Sequence, residues 1–144
     1  MSLSFLVNKC KELGRIGAAI VDPRSDVALS GALQAYEEGI LEPILVGPQA
    51  EIEKIAQDNN LDISKLQIID VATSELAAAA SAELASNGKV HCLVKGSLHT
   101  DILMHAVLQP EYNLRTKRLI SSCCLMSLPS YERIIFLADM VMNI

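Results

Sequence analysis

The sequence has no tryptophan and only two phenylalanines and three tyrosines, so it lacks the ring surfaces on which nucleic-acid bases stack. Positive charge is scarce as well. Twelve lysines and arginines stand against seventeen acidic residues, for a net charge of -5, so no basic surface is available to neutralise a phosphate backbone. Together the two shortages exclude nucleic acid as a partner. Basic residues cluster only locally, at Arg115, Lys117 and Arg118. No apolar run approaches the ~20 residues that span a bilayer, and Phe5-Leu6-Val7 is too short for the apolar core of a signal peptide. A cytoplasmic protein without a membrane partner is expected.

Cysteine is sparse and unpatterned. Cys10, Cys92, Cys123 and Cys124 show no C-x-x-C spacing, and neighbours such as Cys123 and Cys124 on a strand would point to opposite faces. No metal site is expected. Cys92, in the middle of an apolar run, reads as a small buried residue rather than a reactive thiol, and reduced thiols fit a cytoplasmic setting.

What the chain has in abundance is apolar side chains, 51% of 144 residues, with 20% charged, which suffices for the core of a single domain covering residues 1–144. Their arrangement alternates. Ile16 to Val21 is a short apolar run that Asp22-Pro23 breaks, after which Ser25 can cap a helix with Val27, Leu29, Ala32, Leu33 and Tyr36 on its apolar face. Gly39 ends that helix. Pro43 to Val46 is a second strand, and a helix marked by Ile52, Ile55 and Ala56 runs to Asn59-Asn60. Gln67 to Val71 is a third strand, and Thr73 can cap an alanine-rich helix that Asn87-Gly88 stops. Val90 to Val94 reads as a buried strand feeding a glycine turn and a helix that Pro110 ends. Leu119 to Met126 and Arg133 to Ala138 read as two strands around Pro129-Ser130. Strand and helix in alternation imply a parallel sheet covered on both faces, and the terminal hairpin would make it mixed. The expected fold is a three-layer α/β/α sandwich with a mostly parallel, mixed sheet.

The most informative stretch is Val90 to Asp101, a strand running through Lys95-Gly96-Ser97 into a helix start. The first turn of a helix has unpaired N–H groups and the positive end of the helix dipole, which favours an anion. Lys95 would add a charge, and Ser97 and Thr100 hydroxyl donors. Spacing alone leaves a second reading open, in which Gly96 makes the turn and Ser97 or Thr100 caps the helix.

Lys95-Gly96-Ser97-Leu98-His99-Thr100-Asp101 with Leu103 to Val107 after it resembles the central motif of the phosphate acetyltransferase and phosphate butyryltransferase family, and most closely the version fused to enoyl-CoA hydratases. Further matches follow the family's order: Gly39 to Gly47, Leu114-Arg115-Thr116, Leu119-Ile120-Ser121, Leu128-Pro129, and Asp139 with Asn143-Ile144. They span nearly the whole chain. Two positions depart from the pattern: Ser121-Ser122 stands where the family usually has Ser-His, and Ala138-Asp139 where it usually has Thr-Asp.

The resemblance implies a lobe of the isocitrate/isopropylmalate dehydrogenase-like type, the N-terminal half of a two-lobed enzyme. A second lobe after Ile144 would supply several catalytic groups, including a serine and an arginine. The implied reaction is attack of phosphate on an acyl-coenzyme A thioester, giving acyl phosphate and coenzyme A, with coenzyme A as substrate or product and no bound cofactor. Such chemistry must hold two anions together, meet charge developing on the carbonyl oxygen with fixed donors, and stabilise the departing thiolate.

Substrate-binding residues are then expected at Lys95, Gly96, Ser97, Thr100, Arg115, Ser121, Asp139 and Asn143, and the catalytic residues stay unassigned. Arg115 offers a planar fork to phosphate oxygens, while Lys117 and Arg118 either attract coenzyme A phosphates or form a solvated face. Asp139 and Asn143 are expected at the end of the last strand, where Asp139 either orients a ligand hydroxyl, holds an arginine of the second lobe or caps a following helix. His99 and His105 are read as packing or helix-surface residues, because phosphate is anionic at neutral pH and needs little deprotonation. A homodimer is expected, from the apolar residues crowding the C-terminal end. The alternative is a non-catalytic module that binds an anion or nucleotide at the same turn.

Overall fold

Ile16–Val21 becomes β1, and its alternation supplies both faces of the core: Ala18 and Ile20 point to one side, Ala19 and Val21 to the other. The computed structural model describes residues 4–143, and for residues 140–143 the backbone alone. β1 is followed by α2 (Asp26–Glu37), β2 (Leu41–Gly47), α3 (Gln49–Asp58), β3 (Gln67–Asp70), α4 (Ser74–Ser86), β4 (Cys92–Lys95) and α5 (Thr100–Val107). A short 3-10 turn, Pro110–Tyr112, comes next, and α1 (Ser4–Leu13) precedes β1. The four strands form one parallel sheet in the order β3-β2-β1-β4.

Helices α2 and α4 begin at the start signals that the sequence offers. The Ser25 and Thr73 hydroxyls accept from the Ala28 and Leu76 N–H groups and so cap α2 and α4. Pro48, at the N-cap of α3, makes no side-chain cap, and the Asp70 carboxylate at the end of β3 accepts from Gln49 N–H at 2.9 Å instead. Leu29, Ala32, Ile52 and Ala56 bury α2 and α3 against Ala18, Ile20 and Leu45 on one face. The alanines of α4, Ala77, Ala78 and Ala82, bury that helix with Leu98, Leu103 and Ala106 against Ala19, Val21 and Val46 on the other. Ile20, Leu29, Leu45 and Ile52 are fully enclosed, each worth about 1.5–3 kcal/mol of apolar burial. The result is the three-layer α/β/α arrangement.

Two details differ from the sequence reading. β4 is not a buried strand: Val90 before it is enclosed, Cys92 and Leu93 are half-buried, and Val94 and Lys95 are exposed. The physical reason is its place at the edge of the sheet, where among the described residues it pairs only with β1. The terminal strands β5 (Ser121–Leu128) and β6 (Tyr131–Asn143) do pair antiparallel, but as a separate two-stranded sheet, so the parallel sheet is not made mixed by them. Helix α1 has no counterpart in the sequence reading; none of its residues is buried, and Lys9 pairs with Glu12 on its surface at 2.8 Å.

The chain divides into two compact units, residues 14–115 with the parallel sheet, and residues 4–13 with 116–143 carrying α1 and the hairpin. In the hairpin, Cys123 pairs with Ala138 and Ser121 with Asn143, so β6 bulges between them. Asp139 begins that bulge with φ 58°.

Candidate functional site

The order β3-β2-β1-β4 reverses direction between β1 and β4, and the carboxyl ends of those two strands flank the point of reversal. Open α/β sheets bind ligands there. Val21 and Lys95 are paired in register at that edge, so the chain leaving β1 and the chain leaving β4 emerge side by side. The two exits are bonded to each other: Gly96 N–H donates to Val21 C=O at 2.8 Å, and Ser97 N–H to Asp22 C=O at 2.8 Å. Gly96 is required by closeness. A Cβ there would lie 2.4 Å from the Asp22 carbonyl oxygen and 2.6 Å from that of Val21.

These bonds correct one expectation about the turn. Gly96 and Ser97 spend their N–H groups on the carbonyls of Val21 and Asp22, so neither amide is left to cradle an anion. The unpaired donors lie one step further on, at Thr100, Asp101 and Ile102, before the first helical bond from Leu103 N–H to His99 C=O. The N-cap residue is His99, whose side chain makes no cap, so neither Ser97 nor Thr100 caps α5. Ser97 and Thr100 are exposed. Lys95 folds back over the turn and donates to Leu98 C=O at 2.9 Å and Gly96 C=O at 3.4 Å. Its ammonium therefore sits at the turn, bonded to it.

Residues that sequence reasoning passed over complete this edge. Asp22, read there only as a chain break, is 0% exposed with φ 54°, and its carboxylate accepts from Arg24 Nε at 2.7 Å, Arg24 Nη2 at 3.0 Å and Ser74 Oγ at 2.6 Å. The Arg24 side chain is 33% exposed and also faces Glu51 at 3.5 Å. The hydrogen bond to Asp22 is the main cause holding its guanidinium above the ordinary arginine value. The signal was an Asp-x-Arg directly after the first apolar strand.

The remaining expected site residues divide between the two units. Arg115 is exposed at the last position of the sheet unit; Ser121 and Asp139 belong to the hairpin unit and are exposed. Asp139 lies inside β6 rather than at its end, and no helix follows it among the described residues, so the capping role is excluded. The side chain of Asn143 lies outside the described residues, as does Ile144. Both His99 and His105 are exposed, and His105 pairs with Gln109 at 2.8 Å. Burial raises the Cys92 thiol above its ordinary pKa, which disfavours the nucleophilic thiolate. A cavity of about 640 Å³ between α4, α5 and the 3-10 turn is lined by Glu75, Asp101 and Glu111, a poor setting for a phosphate.

No family profile matches the chain. Individual proteins do. It is 40% identical over 125 residues to the phosphate acetyltransferase of Rhizobium meliloti, covering 87% of this chain and 40% of that protein. To the phosphate butyryltransferase of Clostridium beijerinckii it is 31% identical over 145 residues, covering 99% of this chain and 48% of that one. This chain is a relative of the phosphate acetyl- and butyryltransferases. It spans less than half the length of those phosphate acyltransferases. The fold agrees: a branched-chain phosphotransacylase from Enterococcus faecalis V583 superposes with TM-score 0.70 at 21% identity over 90% of this chain and 44% of that one. A phosphotransacetylase from Staphylococcus aureus gives 0.73 at 18% identity over 99% and 52%. No helix among the described residues is long and apolar enough to cross a membrane.

Proposed function

We propose that this chain forms the N-terminal lobe of a cytoplasmic phosphate acyltransferase, which transfers the acyl group of an acyl-coenzyme A to phosphate. The observation that carries the reading is the identity to phosphate acetyl- and butyryltransferases across most of the chain. The edge where β1 and β4 end supports it, because its turn offers what an anionic substrate needs. Ser97 and Thr100 carry exposed hydroxyls next to the first turn of α5, and the Lys95 ammonium is bonded to the carbonyls of the same turn. Arg115 and, separately in the hairpin unit, Ser121, Asp139 and Asn143 are further proposed substrate-binding residues, with coenzyme A as a substrate and no bound cofactor.

A lobe that holds substrate without its opposing groups should bind and not turn over. In a thiol-release assay with acetyl- and butyryl-coenzyme A, the 144-residue protein is expected to show no phosphate-dependent release of coenzyme A; robust turnover would overturn the half-enzyme reading. In the same preparation, phosphate should shift the amide NMR signals of Thr100 to Ile102 most, with millimolar affinity, about 4 kcal/mol. Uniform shifts over the surface would count against the site.

The homodimer has its support in the hairpin unit, where Leu125, Met126 and Leu128 are exposed, Leu119 is 73% exposed and Phe136 70%. Light scattering across a concentration series should report twice the monomer mass. A monomer persisting at high micromolar concentration would remove the dimer from the proposal.

A further inference from the structure

The carboxylate of Asp22 is the one acidic group among the described residues that is wholly buried, and no step of acyl transfer asks for it. Its setting is expensive. A buried charge demands full pairing, and a left-handed backbone disfavours every residue with a Cβ, although aspartate tolerates it better than most. An apolar side chain would avoid the first demand and glycine the second. Both are met here at one position, at the carboxyl end of the central strand.

The side chain and the main chain of Asp22 face two different tasks. Its carboxylate is gripped by Arg24 and by Ser74, the first residue of α4, and Arg24 in turn reaches Glu51 in the first turn of α3. Its N–H donates to Val46 C=O at 2.8 Å, and its C=O accepts from both Arg24 N–H at 2.9 Å and Ser97 N–H at 2.8 Å. That carbonyl is held by both bonds, and Gly96 sits so close to it that a small rotation of the Asp22 peptide would displace the turn. Fixing the carboxylate fixes the peptide, and fixing the peptide fixes the turn.

Resting on the reading of that turn as the substrate site, we infer that Asp22 is a positioning residue: clamped by Arg24 and Ser74, it aims its own carbonyl at Ser97 and so sets the Lys95–Thr100 turn for anion binding. Asp22 touches no substrate in this role. A merely stabilising ion pair would instead raise or lower the whole fold without singling out the turn.

Amide hydrogen exchange separates the two in the 144-residue protein. Asp22→Gly keeps the left-handed backbone and deletes the clamp; exchange at Gly96 and Ser97 should speed up at least tenfold relative to Leu45 and Val46 in the sheet interior. Phosphate affinity, read from the Thr100 signal, should fall at least fivefold. Should Asp22→Gly fail to fold, Ser74→Ala removes one grip and leaves the ion pair, with about threefold faster exchange confined to the same two amides. Asp22→Asn, which keeps the shape and an acceptor, should restore part of the protection. Unchanged exchange at Gly96 and Ser97, or an equal rise there and at Leu45 and Val46, overturns the inference. If the parent protein shows no phosphate shifts, the substrate reading fails while the exchange comparison still decides the role of Asp22.

Discussion

Gly96→Ala should destabilise the chain by about 3–5 kcal/mol, combining overpacking with the loss of two short backbone hydrogen bonds. The added methyl meets main-chain oxygens, not flexible side chains, at 2.4 Å and 2.6 Å, so relief requires the β4 exit to move off the β1 exit. Moving it breaks the bonds from Gly96 to Val21 and from Ser97 to Asp22. Against a total stability of roughly 5–15 kcal/mol for a domain, that is a large fraction. Urea unfolding checks it. A midpoint equal to the parent's, with the Gly96 and Ser97 amides still protected, would show that the two exits are less tightly joined than their distances indicate.

Arg24→Ala ranks next. It leaves the Asp22 carboxylate enclosed with only the Ser74 hydroxyl as a side-chain partner. Breaking a fully buried pair costs about 3–5 kcal/mol, and because Arg24 is one-third exposed, water softens this to roughly 2–3 kcal/mol at neutral pH. The sign with pH follows from the charges. An arginine whose folded pKa is raised contributes its stability at every pH below its unfolded value, so in the parent the pair is intact throughout the neutral range. The deficit of the variant is therefore expected to be the same at pH 6, 7 and 8, read by urea unfolding of the two proteins side by side. A variant as stable as the parent at all three would show that the ion pair contributes nothing net.

Much of this architecture is legible in the residues. Ser25 and Thr73 announce two helix starts, Gly39 and Asn87-Gly88 two ends, and the apolar runs between them give the parallel strands, because caps and periodicity act over a few neighbouring positions. The motif turn is legible as a place and not as a mechanism. Nothing local to Lys95-Gly96-Ser97 reveals that two of its amides are bonded to Val21 and Asp22, since those partners come from the other end of the unit. The Asp22 clamp fails for the same reason: Ser74 is 52 positions away. Helix α1 has no buried face for periodicity to expose, and the hairpin's own alternation cannot tell whether it joins a larger sheet.

The pair of hydrogen bonds between the strand exits also has a meaning in chain statistics. Val21 to Gly96 and Asp22 to Ser97 each close a loop of about 75 residues, whose closure entropy alone is roughly 4 kcal/mol. Two hydrogen bonds cannot offset that. The loop is closed by everything wound inside it, since α2, β2, α3, β3 and α4 all lie between its ends. The turn that holds the motif is thus a long-range object, with no existence as a local peptide conformation. A synthetic peptide of residues 90–107 would carry every motif side chain and none of the site.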